Sequence, residues 1–290
     1  MGHLPRGVID THVHAGPDVV PRLMNDHALV ASAREAGYRG VVIKSHVEGT
    51  ASRARLAKEM VWPEGEVFGG LALNRHSAGG LNPLAVSTSL ALGARVIWLP
   101  TLSSVVQRRE ATGPARDALP NNAEVTGDDV EIGHAQLDLD GPLGQIFRVI
   151  AEYGATLATG HLDPAMLVDV VRFAVRCDVQ RILVTHPEAP FLNVPIADQL
   201  VLAENPNLWF ERCYLSVLSG VSIATIAEQI RAVGASRTVL ATDLGQARNV
   251  SPFVGMADYV RQLSQEGIPD DDLELMTVHN PAVALGLDRR

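Results

Sequence analysis

Near the start of the chain, His12 and His14 follow the apolar pair Val8-Ile9 with one residue between them. Alternate side chains of an extended strand project to the same face, so this spacing offers two imidazoles side by side, as chelation of a metal ion requires. His-x-His also occurs on exposed strands, and the pair by itself decides nothing. Further along, groups of the same chemical kind end short apolar runs: Lys44-Ser45-His46, Asn74-Arg75-His76, His161, His186-Pro187-Glu188, Glu211-Arg212 and Asp243. Six of the ten histidines (His12, His14, His46, His76, His161 and His186) occupy such positions. The remaining four, His3, His27, His134 and His279, read as surface or structural groups.

Those positions have a common logic only if the apolar runs are strands of one sheet. Strands are expected at Gly7–Thr11, Gly40–Lys44, Val67–Leu73, Arg95–Leu99, Ala155–Thr159, Arg181–Thr185, Asn207–Glu211 and Thr238–Thr242. Helical spacing of apolar residues lies between and after them, at Asp26–Ala36, Ser52–Met60, Pro83–Leu92, Pro142–Tyr153, Pro164–Arg176, Ile196–Glu204, Ser222–Val233 and Gly255–Gln265. Proline stands at or near several helix starts (Pro83, Pro164, Pro195), where a missing N–H costs nothing, and glycine follows several ends (Gly37, Gly93, Gly154, Gly234). Eight β-then-α units predict an α/β fold, a (β/α)8 TIM barrel forming one domain over residues 1–290. An open doubly wound sheet is the rival, but no Gly-x-Gly-x-x-Gly follows the first strand. In a parallel barrel the reacting groups come from the carboxyl ends of strands, so the residues named above would meet at one mouth. The rhythm breaks at Ser103–Asp140, a long insertion after strand four that reads as a lid, with Val130–Leu139 expected to form a small hairpin arm.

Composition narrows the partners. A net charge of -9 with scattered arginines argues against nucleic acid, which needs a basic stripe, and leaves a small-molecule substrate. Cys177 and Cys213 have no Cys-x-x-Cys neighbour, which speaks against a thiolate metal site or a disulfide framework. The absence of a basic, apolar leader pattern in residues 1–7 and of a run approaching the ~20 apolar residues of a membrane span leads to the expectation of a cytoplasmic protein without membrane contact.

With His-x-His after strand one, single histidines after strands five and six and an aspartate after strand eight, the chain resembles the amidohydrolase superfamily of metal-dependent barrels. The closing stretch Asn280-Pro281-Ala282-Val283-Ala284-Leu285-Gly286-Leu287 also resembles a common ending in that superfamily. The strings His14-Ala15-Gly16-Pro17-Asp18, Thr159-Gly160-His161 and Thr242-Asp243-Leu244-Gly245-Gln246 suggest a poorly characterised branch. The resemblance implies that His12, His14, His161 and Asp243 hold a divalent ion, most simply zinc, which activates water. It also makes Asp243 the proton shuttle, and His186 either a ligand of a second ion or a hydrogen-bond donor to hydroxide and substrate. The sequence departs from the pattern at strand four, where binuclear members place a bridging carboxylated lysine or glutamate and Thr101 can be neither. One ion is therefore expected, with two left open if Lys44 or Glu211 supplies the bridge. Lys44 is assigned to the substrate's carboxylate or carbonyl, and His46, His76, Glu211 and Arg22 are substrate-binding candidates, Arg108-Arg109 of the insertion being weaker ones. Hydrolysis of a small cyclic amide, imide or lactone follows from the resemblance. The rivals are a metal-dependent decarboxylase of the same superfamily and a barrel that binds metal or ligand without turnover. Pairing of subunits is expected only by analogy with the superfamily.

Overall fold

The computed structural model describes residues 4–109 and 130–287. Its eight strands are β1 (Ile9–His14), β2 (Gly40–Lys44), β3 (Glu66–Ala72), β4 (Val96–Trp98), β5 (Thr156–Ala158), β6 (Ile182–Thr185), β7 (Leu208–Cys213) and β8 (Thr238–Ala241). Each pairs in parallel with the next in sequence order. The ring closes just beyond the end of β8, where Asp243 N–H donates to the His12 carbonyl and His14 N–H to the Leu244 carbonyl, both at 2.8 Å. The expected α/β barrel is what forms. Helices such as Asp26–Glu35, Pro83–Ala91, Pro142–Glu152, Pro164–Arg176 and Pro252–Gln265 cover its outside.

Helix starts follow local chemistry. The side chains of Asn25, Asn82, Asp163, Ser222 and Ser251 each accept a backbone N–H of the first turn, satisfying donors that a helix start otherwise leaves open. Inside the barrel, Ile9, Val42, Ala72, Trp98, Leu183 and Val239 form an apolar plug. On the other strand face, residues such as Val13, Val41 and Ile43 pack against the helices. Ala282, Ala284 and Leu285 of the closing segment join the inner cluster. There, Thr156 Oγ1 donates to the Ala284 carbonyl at 2.6 Å and Asn280 Nδ2 to the Thr238 carbonyl at 2.7 Å, which seals the amino end of the barrel.

Two expectations are corrected. Strand β1 does not stop at Thr11 but carries both histidines, because His14 still pairs with Lys44 of β2. Val130–Leu139 is no hairpin: Val130 makes one parallel bridge to Ser104, and His134–Gln136 closes a 3-10 turn with Gln136 N–H donating to the Gly133 carbonyl at 3.1 Å. Alternation there reflects single burial of Val130 and Ile132, not strand pairing. Residues 110–129 of the insertion, the terminal His3 and the Arg108 side chain lie outside what is described.

Candidate metal centre

Strand β1 reaches the mouth through a register shift. Asp10 pairs with Val41 but Val13 with Ile43, so one extra residue lies on β1 between the pairs. A two-residue period would put Ile9 and Val13 on one face, yet Ile9 belongs to the inner plug and Val13 to the outer layer. The extra residue flips the phase, and both His12 and His14 turn inward. Asp10, buried beneath them, accepts from Thr242 N at 3.0 Å and Thr242 Oγ1 at 2.6 Å. It fills the gap in the β8–β1 ladder, while burial, only partly offset by these hydrogen bonds, pushes its pKa up to about 7.

At the mouth, His12 Nε2 and His14 Nε2 lie 3.1 Å and 3.0 Å from the same atom, Asp243 Oδ1. Three donors of two chemical types thus face one point. A zinc ion with bonds of 2.0–2.1 Å separates its tetrahedral ligands by about 3.3 Å, so small side-chain movements suffice to admit it. Around this trio stand three more imidazoles: the His14 and His46 rings stack at 5.0 Å, those of His161 and His186 lie 5.0 Å apart, and those of His12 and His186 lie 6.0 Å apart. Burial drives His14 down to about 3 and His186 to about 4, with Arg22 reinforcing the first shift, and it pulls His46 and His161 well below the usual histidine range. Neutral rings have lone pairs to give. His14 Nδ1, His161 Nδ1 and His186 Nδ1 are buried with no hydrogen-bond partner among the described residues, which is unusual for interior polar atoms. These observations fit a divalent cation.

Carboxylates hold the other side. For Asp243, burial alone would raise the pKa, but the charge on His12 and the hydrogen bonds from His12 and His14 outweigh it and keep the group ionised. Glu211 at the end of β7 has no exposed side-chain surface and does not pair with Arg212; it accepts from Thr11 Oγ1 at 2.6 Å and faces His12 Nδ1 at 3.0 Å. A carboxylate only accepts, so Nδ1 carries a proton, and in the neutral form of the ring Nε2 is the nitrogen left free to ligate. Arg212 turns outward to Glu188 at 3.2 Å. Asp243 and His186 both have positive φ, 54° and 28°. Left-handed backbone at non-glycine positions costs on the order of 1–3 kcal/mol and gathers at functional sites; it is held here by Asp243 N–H to the His12 carbonyl and His186 N–H to the Glu211 carbonyl, both 2.8 Å.

Lys44 is buried, with Nζ 2.9 Å from His12 Nε2 and 5.4 Å from the centre of the Trp98 ring, and burial lowers its pKa. His46 Nδ1 meets Thr101 Oγ1 at 2.8 Å, which also accepts from Asn74 Nδ2 at 2.6 Å. Position 101 therefore orients an imidazole. Arg22 is held by Asp18 through Nε and Nη2, at 3.1 Å and 2.9 Å, close enough for its charge to be felt by His14. His76 is exposed on the short Arg75–Ala78 helix and joins none of these contacts among the described residues, which removes it from the cluster. The helix turns its side chain away, and Asn74, one residue beyond the next from the strand end, points in instead. Exposed Arg109 pairs with Asp163 at 3.4 Å. Sequence reasoning also passed over Thr11, Asp10, Asn74, Trp98, Phe191 and Cys213. Cys213 Sγ lies 3.8 Å from His12 Nδ1, but burial raises its pKa far enough to keep it a thiol. An alternating strand that runs on to Cys213 was the available signal for that neighbour.

The sequence profile of DUF6282, a family of unknown function, matches residues 7–211. No curated protein matches the chain. Among solved structures, N-acetyl-D-glucosamine-6-phosphate deacetylase from Mycobacterium smegmatis is 21% identical with a TM-score of 0.60, over 97% of this chain and 76% of that one. An amidohydrolase from Pseudomonas aeruginosa is 13% identical, TM-score 0.59, over 97% and 95%. A 2,6-dihydroxybenzoate decarboxylase is 11% identical, TM-score 0.55, over 98% and 100%. At these identities the likeness concerns the fold.

Proposed function

The chain belongs to DUF6282, a family of unknown function, and from the centre it carries we propose a metal-dependent enzyme that hydrolyses an acyl C–N or C–O bond of a small molecule, of the cyclic amide, imide or lactone type. The observation that carries this reading is the convergence of His12 Nε2 and His14 Nε2 on Asp243 Oδ1. Those three residues, completed by His161, would hold the ion, and their donor set favours zinc. When bound, such a cation supplies Lewis acidity and lowers the pKa of water from about 16 toward about 7.

Asp243, ionised and with 12% of its side chain open to the mouth, takes a proton from the attacking water and delivers it to the departing nitrogen or oxygen. One C–N or C–O bond breaks as a new C–O bond forms, and the products are an acid and an amine or alcohol, joined in one molecule if the substrate is cyclic. His186 and Lys44 would donate hydrogen bonds to the developing oxyanion, a role supported by their burial beside His12. His46, ordered by Thr101, and Arg22, ordered by Asp18, contact the substrate. Glu211 is reassigned from substrate contact to orienting His12, since it is sealed from solvent. One ion rather than two is supported at β4: Trp98 fills the inner strand end, and Thr101 is engaged with His46 and Asn74.

The test is the metal content of the wild type against His12→Ala, His161→Ala and Asp243→Asn, with hydrolysis in 18O water. One equivalent per chain, lost in the variants, and solvent oxygen in the acid product are expected; a wild type that retains no transition metal sinks the reading. A second reading, decarboxylation, draws on the match with the decarboxylase, which spans 98% of this chain and 100% of that one. Release of carbon dioxide without uptake of solvent oxygen would establish it. We take the barrel and its insertion as one domain; among the described residues no helix is long and apolar enough to cross a membrane.

A further inference from the structure

We propose that a cavity beside His161 receives an apolar substituent of the substrate, so that the enzyme selects acyl compounds carrying a short alkyl or aryl group. The inference rests on the hydrolase reading and sharpens its substrate class. The cavity has a volume of about 400 Å³, at the small end of the roughly 300–1,000 Å³ range of small-molecule sites. His161 forms part of its wall, so a group lodged there adjoins the imidazole cluster directly. Val105 and Val106 of the Val105–Arg109 helix, Ile132, Leu162 and, in the first turn of the Pro164–Arg176 helix, Met166 supply the hydrocarbon side of a wall that also carries polar residues.

Two pairs of charged groups nearby are closed on each other. Arg109 pairs with Asp163 at 3.4 Å, and His134 with Asp169 at 3.1 Å. Glu131, also on the wall, disfavours an anionic substituent. The stems of the insertion are tied by Val130 N–H donating to the Ser103 carbonyl at 2.9 Å, and Ile132 lines the same cavity as Val106. The Phe191 ring packs against His161 at 4.8 Å without forming part of the cavity wall.

Straight-chain amides from acetamide to hexanamide, titrated by NMR into the metal-loaded protein, test the assignment. Affinity should rise up to about fourfold per methylene. In Met166→Trp, and in Ala165→Trp, whose position is exposed and leaves folding undisturbed, the gradient should flatten while metal content stays at the wild-type level. A flat series in the wild type, or an unchanged gradient in both tryptophan variants, overturns the proposal. A steep gradient in a protein that holds no metal would keep the cavity and remove the hydrolase reading instead, so the two failures are distinguishable.

Discussion

His12 is the residue on which the rest turns, because its two nitrogens face opposite ways: Nδ1 toward Glu211 and Nε2 toward Asp243 and Lys44. Glu211→Gln keeps the shape but lets the amide present an N–H to the ring, which releases the tautomer. Metal affinity, measured by competition with a chelator, should fall about 10- to 100-fold, and Thr11→Val, which removes the donor to Glu211 Oε1, should fall less. Unchanged affinity in Glu211→Gln would place the carboxylate outside metal binding. Lys44→Met makes the opposite test. Burying an amine costs free energy that a thioether does not incur, so urea unfolding should show equal or greater stability while kcat/KM drops by about 100-fold or more. His12, His14, His161, His186 and Asp243 were expected at one mouth from type and position, and they do gather there; their roles came from the family resemblance. His76 misled because a residue just past a strand end can turn either way, and Asn74 escaped because an amide signals nothing until its partners, the His46 carbonyl and Thr101, are known.

Strands and helices were legible because their periodicity is a property of consecutive residues; the irregularities that aim the site were not. The extra residue in β1 leaves no mark on an all-buried strand, where every position is occupied by a residue that tolerates the interior. The same holds for Val130–Leu139, whose alternation is met by a turn and one bridge. Glycine positions next to ligands carry more information than they first show. Gly245, two residues past Asp243, has φ 126°, and a Cβ there would collide with the His14 carbonyl oxygen. Gly160, just before His161, has φ 57° and similarly abuts the Leu99 carbonyl. Gly245→Ala should therefore displace His14 and Asp243 relative to each other. Stability should fall by about 1–3 kcal/mol in urea unfolding, and metal affinity should fall with it. If the protein is destabilised yet binds metal as the wild type does, the loop is structural and the ligands are set by β1 and β8 alone.

At the scale of the whole barrel, the two ends answer to different demands. The carboxyl mouth concentrates buried imidazoles, the ionised Asp243 and left-handed backbone, all of which oppose folding unless compensated. The amino end holds the compensation: an apolar plug of Ile9, Val42, Val239, Ala282 and Leu285, closed by a segment that Thr156 bonds at the Ala284 carbonyl and Asn280 bonds to β8. Asn280 is the pin. Its Nδ2 donates to the Thr238 carbonyl at 2.7 Å and the Ala235 carbonyl at 2.8 Å, on either side of the entry to β8. Asn280→Ala leaves both carbonyls without this donor, a loss of about 1–3 kcal/mol if they stay buried. A chain of this size loses roughly 2–4 °C of Tm for each kcal/mol, so the transition should move down by several degrees in calorimetry. Metal stoichiometry at a temperature well below the transition should be that of the wild type, because no ligand is attached to this end. A loss of metal at low temperature would mean that the plug and the mouth are one cooperative unit, with strain at the ligands transmitted along β8 from Thr238 to Asp243.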